Sequence, residues 1–172
     1  MSLSFATLGA TILTADRTST VEVSTDPTGA LALEANDSIP FVTDSDSPRN
    51  TLDIDTSLGG ADGINPNATL YFGDGDFDES GTVSAEAYNA TNNFGQPVDV
   101  QIGYETGGIS SGEVVIAAEY DTASKRAVID SSSPNGTVTF AGVPDGGTID
   151  VAIRAKTGGD DLSGNITHSV ST

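Results

Sequence analysis

Apolar residues recur at every second position in run after run of this chain. The clearest case is Val98 to Tyr104, where Val98, Val100, Ile102 and Tyr104 alternate with Asp99, Gln101 and Gly103. Thr148 to Ala155 repeats the pattern, with Ile149, Val151, Ile153 and Ala155 on one face and Asp150 and Arg154 on the other. Period two places successive side chains on opposite faces of a strand, one buried and one in water. The same reading gives strands over Thr20 to Ser24, Leu31 to Glu34, Thr51 to Asp55, Ala68 to Phe72, Val83 to Ala90, Glu113 to Tyr120, Thr137 to Ala141 and Asn165 to Val170. Glu113 to Arg126 is the one ambiguous stretch, because Val114, Ala117 and Ala118 also fit a helix. Its Val-Val-Ile run favours a strand.

Turn chemistry separates the runs. Asp26-Pro27-Thr28-Gly29, Gly59-Gly60, Gly107-Gly108, Ser133-Pro134-Asn135-Gly136, Pro144-Asp145-Gly146-Gly147 and Gly158-Gly159 supply positive φ or a preset proline φ. Asp44 to Asn50 reads as a polar loop. Strands at this spacing predict an all-β fold, a jelly-roll-like β-sandwich of about 9–11 strands. A chain of 172 residues fits one such domain, expected over residues 16–172, behind a distinct N-terminal segment, residues 1–15.

That segment differs from every other run. Leu3, Phe5, Leu8, Ile12 and Leu13 are joined only by small or hydroxyl residues, and no charge interrupts them. A strand with two apolar faces is a liability unless something covers both. Three readings stand: a first strand inside its own sandwich, a donor strand that fills a groove in the next subunit, or the remnant of a signal peptide. The last lacks a positive n-region, since the first basic residue is Arg17. As a donor, the side chains of Phe5, Leu8, Ile12 and Leu13 alone, at about 1.5–3 kcal/mol each, would supply roughly 6–12 kcal/mol before entropic losses. Such a head-to-tail contact does not close on itself and builds a filament of this chain with itself.

Composition narrows the setting. Acidic residues number 25 against 6 basic ones, for a formal net charge of -19. Phosphate binding needs clustered Lys and Arg, so nucleic acid is excluded as a natural partner, and an anionic membrane is disfavoured for the same reason. No apolar run reaches the roughly 18–20 residues that span a bilayer. The acids are mostly Asp, dispersed along the chain, which is the composition expected in molar salt; there a Debye length of about 3 Å removes most self-repulsion. Cys and Trp are absent, which rules out disulfides, thiol nucleophiles and cysteine zinc sites.

Catalytic chemistry is sparse, and the expectation is a protein that is not an enzyme. His168 is the only imidazole and stands in phase with Ile166 and Val170, as a packed or edge histidine would. No nucleophile elbow, phosphate loop or zinc-protease motif occurs. Asp74, Asp76 and Asp78, in Asp74-Gly75-Asp76-Phe77-Asp78-Glu79-Ser80-Gly81, are the best metal candidates. Alternating carboxylates beside glycine can wrap calcium. Counted from Asp74, however, Glu79 stands where an EF-hand loop needs Gly and Ala85 where it needs Glu. The other reading is a solvated acidic turn. Five N-x-S/T sequons, at Asn36, Asn67, Asn89, Asn135 and Asn165, are candidates for N-glycans on an exported protein, with plain turn chemistry as the alternative.

Three stretches carry a resemblance. Leu8-Gly9-Ala10-Thr11 with Thr14-Ala15-Asp16-Arg17-Thr18 and Val21-Glu22-Val23, then Gly63-Ile64-Asn65-Pro66-Asn67-Ala68-Thr69, then Asn92-Asn93-Phe94-Gly95-Gln96-Pro97-Val98-Asp99-Val100 resemble haloarchaeal exported surface proteins. These are similar to the camelysin/TasA-type biofilm fibre proteins and the archaeal bundling pili. The resemblance spans residues 8–104 and implies a jelly roll whose N-terminal strand is donated to a neighbour, in an extracellular, pilus-like filament of a halophilic archaeon. It transfers no catalytic residue. The alternative function is a monomeric cell-surface adhesion module, calcium-dependent through the Asp74 loop.

Overall fold

The computed structural model describes residues 20–24, 30–36, 38, 42–44, 51–55, 69–106, 112–157 and 164–172. Leu3, Phe5, Leu8, Ile12 and Leu13 lie outside the described residues, as do residues 1–15 as a whole. Fourteen strands are described and every pairing among them is antiparallel: β1 Thr20–Ser24, β2 Leu31–Ala35, β3 Val42–Asp44, β4 Thr51–Asp55, β5 Thr69–Phe72, β6 Asp74–Gly75, β7 Val83–Ala85, β8 Tyr88–Asn92, β9 Val98–Thr106, β10 Gly112–Tyr120, β11 Ala123–Asp130, β12 Asn135–Val143, β13 Thr148–Thr157 and β14 Gly164–Ser171. The all-β expectation therefore holds among the described residues, with more strands than the pattern gave.

The largest sheet is organised around β13. One edge of β13 pairs with β10. The other edge is shared by two strands end to end, β8 opposite Thr148 to Val151 and β5 opposite Ile153 to Lys156. Beyond β10 lies β11 and beyond β8 lies β2, completing six strands. A second sheet has β9 between β12 and β14. A third contains β1, β4 and β3, with β1 running beside β14. The short β6–β7 hairpin stands apart.

The main core lies between the first two sheets in a sandwich-like arrangement. Val98, Val100, Ile102 and Tyr104 of β9 meet Ile149, Val151 and Ile153 of β13 and Val114 and Ile116 of β10 in one buried cluster. These are the period-two positions read from the sequence. A second, smaller cluster occupies the opposite face of the six-stranded sheet, where Phe77 covers Val115, Ala117 and Ala152. Residues Val114 to Ala118 are therefore buried on both faces. That is why this run lacks alternation and also fits a helix; double burial selects apolar residues at every position.

Two differences from the predicted elements have local causes. Val83 to Ala90 is broken into β7 and β8 because Glu86 and Ala87 carry the chain from the hairpin into the main sheet. The β10–β11 hairpin escaped notice because its two-residue turn, Asp121-Thr122, contains neither Gly nor Pro; Asp121 itself adopts φ 55.

At the seam where β5 gives way to β8, Gly73 has φ +78, and a Cβ there would lie 2.4 Å from the Ala85 carbonyl oxygen and 2.8 Å from the Ala87 nitrogen. Gly146, in the β12–β13 turn, has φ +75 but open space around it. Gly146→Ala is expected to cost about 1–2 kcal/mol from backbone conformation alone. Gly73→Ala adds a steric clash and should cost at least twice as much. Denaturant unfolding in molar salt measures both, and equal losses would show that the seam relaxes freely.

Candidate functional site

The Asp74–Ala85 hairpin lies across the outer face of the six-stranded sheet, and several contacts hold it there. Phe77 is buried against the second core cluster. Arg154 of β13 is only 5% exposed and stands 5.5 Å from the Phe77 ring centroid. Its Nη1 donates to Asp78 Oδ1 at 2.8 Å and its Nη2 to Glu113 Oε1 at 2.9 Å. Arg126 Nη1 donates to the Phe77 carbonyl at 3.0 Å, and the Val83 amide donates to Glu119 Oε2 at 3.0 Å. Gly81, with φ +77, packs so tightly on β11 that a Cβ would meet the Lys125 carbonyl at 2.3 Å.

Within the hairpin, Asp76 organises the turn. Its Oδ1 accepts the amides of Asp78 at 3.2 Å and Glu79 at 3.0 Å. Its Oδ2 accepts the Ser80 amide at 2.9 Å and the Ser80 hydroxyl at 2.7 Å. These donors, the Ser80 hydroxyl foremost, hold the Asp76 carboxyl down to about 2. The three metal candidates thus have separate partners. Asp74 accepts the Gly75 amide, Asp76 caps its own turn, and Asp78 is lowered from the ordinary carboxylate range chiefly by the Arg154 hydrogen bond. Among the described residues no group of three acidic or imidazole side chains is placed to hold a metal ion. The geometry also shifts the count: from Asp76, the first, third and fifth positions are Asp76, Asp78 and Ser80, and the sixth is the positive-φ Gly81.

His168 faces inward from β14. Its Nε2 is 2.9 Å from the hydroxyl oxygen of Tyr88, which is fully buried on β8, and the two rings meet edge to face. Burial pushes the imidazole down to about 4 and the Tyr88 phenol up. The chain's one imidazole is thereby tied to a core phenol that bridges the two sheets.

Asn92 is also fully buried and links two turns. Its Nδ2 donates to the carbonyls of Gln96 at 2.9 Å and Val143 at 2.8 Å, while its Oδ1 accepts the Phe94 amide at 2.8 Å. Asn92 opens the third of the stretches that carried the resemblance, where the sequence marked it only as the lead into β9.

The sequons differ in accessibility. Asn36 is partly buried, and its Nδ2, the atom a glycan would occupy, donates to the Glu86 carbonyl at 3.0 Å and to Glu86 Oε1 at 3.3 Å. Asn89 is partly buried on β8, between Glu34 and Asp150 in register. Asn135 is exposed at the start of β12. Asn165 lies on β14, and Asn135 and Asn165 both pair in register with Glu105. Asn67 lies outside the described residues. Among the described residues no helix is long and apolar enough to cross a membrane.

No family, curated protein or solved structure matches the chain.

The His168–Tyr88 contact carries a pH signature. The folded imidazole binds its proton more weakly than the unfolded one, so acid favours the unfolded chain. This contribution is fully present above about pH 6.5 and is lost as the pH falls to about 4, by about 3 kcal/mol in all. Thermal melting in molar salt should show stability falling across that window. His168→Phe should flatten the profile there, and an unchanged profile would locate the effect elsewhere.

Proposed function

We propose that this protein is the structural subunit of an extracellular, pilus-like filament of a halophilic archaeon. On this reading the sandwich is jelly-roll-like, and Leu3, Phe5, Leu8, Ile12 and Leu13 form a donor strand that enters the next subunit. The observation that carries it is the uncharged, two-faced apolar run at residues 3–13 in a chain of net charge -19. A strand supplied in trans contributes main-chain hydrogen bonds for affinity and alternating side chains for specificity. The dispersed carboxylates, with glycans on accessible sequons, would keep such fibres hydrated in brine.

The second reading is a monomeric cell-surface adhesion module that depends on calcium. The positive-φ Gly81, the sixth position counted from Asp76, favours it; the engagement of Asp78 by Arg154 weighs against it.

Electron microscopy of the purified protein in molar salt separates the two. Filaments are expected from the full chain and are expected to be lost when residues 1–13 are deleted. Normal filaments after deletion would overturn the donor-strand reading. For the calcium reading, added calcium should raise the melting temperature of the wild type and leave that of Asp76→Ala unmoved.

A further inference from the structure

We propose that Asn135 is a site of spontaneous covalent rearrangement, where the side-chain amide is lost through a cyclic imide formed with the main-chain nitrogen of Gly136. Asn135-Gly136 is the one Asn-Gly pair in the chain. Asn135 opens β12 at the end of a run of exposed residues, Ser131 to Asn135. The first residue of a strand opens more readily than its middle, so the main chain here can leave the extended form that ring closure forbids.

Packing explains why glycine follows. A Cβ on Gly136 would lie 2.7 Å from Ile129 Cγ1, 3.1 Å from Ile129 Cδ1 and 3.2 Å from the Val128 carbonyl oxygen. Ile129 is fully buried in the main core, where close packing leaves it little room to yield. The core thus demands glycine at position 136. Glycine has no Cβ to shield its nitrogen and its main chain bends most freely, so the fold sets the least hindered nucleophile beside an exposed amide. Other asparagines among the described residues are placed differently. Asn89 is followed by Ala90, Asn93 by Phe94 and Asn165 by Ile166. Asn36 and Asn92 have their Nδ2 groups tied to main-chain carbonyls.

The step needs no reactant beyond water. The Gly136 nitrogen gives its proton to solvent base and attacks Cγ of Asn135. The new N–Cγ bond forms, the Cγ–Nδ2 bond breaks, and the side-chain nitrogen leaves as ammonia. Water then opens the ring at either carbonyl. Attack at Cγ leaves aspartate at position 135. Attack at the main-chain carbonyl leaves isoaspartate, whose chain runs on through Cβ and Cγ, so that β12 gains one main-chain carbon. Either product adds a carboxylate to a residue paired in register with Glu105 of β9, and like charges directly opposite weaken a ladder. The extra carbon of isoaspartate also breaks the match of Asn135 with Glu105 and of Gly136 with Tyr104. Conversion removes the sequon as well, so an Asn135 that has rearranged can no longer carry a glycan.

The full chain is aged in molar salt at mildly alkaline pH and digested with trypsin, with an unaged sample carried through the same digestion. Mass spectrometry with electron-based fragmentation then separates isoaspartate from aspartate. The tryptic peptide Ala127–Arg154 carries Asn135 as its only asparagine, which makes the assignment direct. The aged peptide is expected to show the mass gain of an amide-to-acid exchange, mostly as isoaspartate. Conversion should run several-fold ahead of that at Asn89 and Asn93 in the same digest, quicken as the pH rises, and be absent from Asn135→Gln. An amide at Asn135 that survives as long as those at Asn89 and Asn93 would overturn the proposal. Conversion to aspartate alone would do the same, because direct hydrolysis passes through no ring. The readout is a mass at one residue, so it stands or falls apart from the filament reading.

Discussion

Strands β10 and β13 pair with each other at the centre of the main sheet, and both are buried on both faces over much of their length. This double burial sets two demands. One face must meet another sheet, and β9, β12 and β14 supply it. The other face must be covered by something small enough to leave the rest of that sheet in water, and the β6–β7 hairpin supplies that. Phe77, Val115, Ala117 and Ala152 form the dry contact beneath it. Removing Val115 and Ala152 from water is favourable only while the hairpin stays down, so its attachments matter beyond their individual strength.

Arg154 shows how an acid-rich chain uses a scarce cation. Its outward-facing position on β13 would be solvent-exposed in a sheet with one open face. Under the hairpin it is buried, flanked by Asp78 and Glu113, and stacked near Phe77. Asp78 remains largely exposed, so the ion pair itself contributes little. The larger effect is geometric: the Arg154 guanidinium meets Asp78 and Phe77 only if the hairpin places them over it, and its Nε has no partner among the described residues even then. The acidic loop is thereby held as a structural clasp, with the Asp78 carboxylate engaged by Arg154.

Much of the sandwich was legible in the chain because a strand with one wet face prints its period directly. Val98 to Tyr104 and Thr148 to Ala155 read correctly for that reason. Elements shorter than two periods did not print. Val42–Asp44 and Asp74–Gly75 are too brief for any alternation to register, and Ala123–Asp130 was hidden behind a turn without glycine or proline. The candidate site was legible by residue type and not by geometry. Carboxylates at alternate positions marked the Asp74 loop, but nothing local announced that Arg154, 76 positions on, would claim Asp78. The phase of His168 with Ile166 and Val170 fits a packed or edge histidine; its partner Tyr88 lies 80 positions away in the chain.

The sequence by itself determined the class of structure, the faces of its longer strands and its acidity, since period, turn residues and charge count are local or additive properties. The tertiary structure alone decided which outward faces stay wet. Pairing between distant strands put the hairpin over Arg154 and left Thr137 and Thr139 exposed. Those outcomes depend on which surfaces meet, and a linear pattern records only that a residue alternates, not what lies above it.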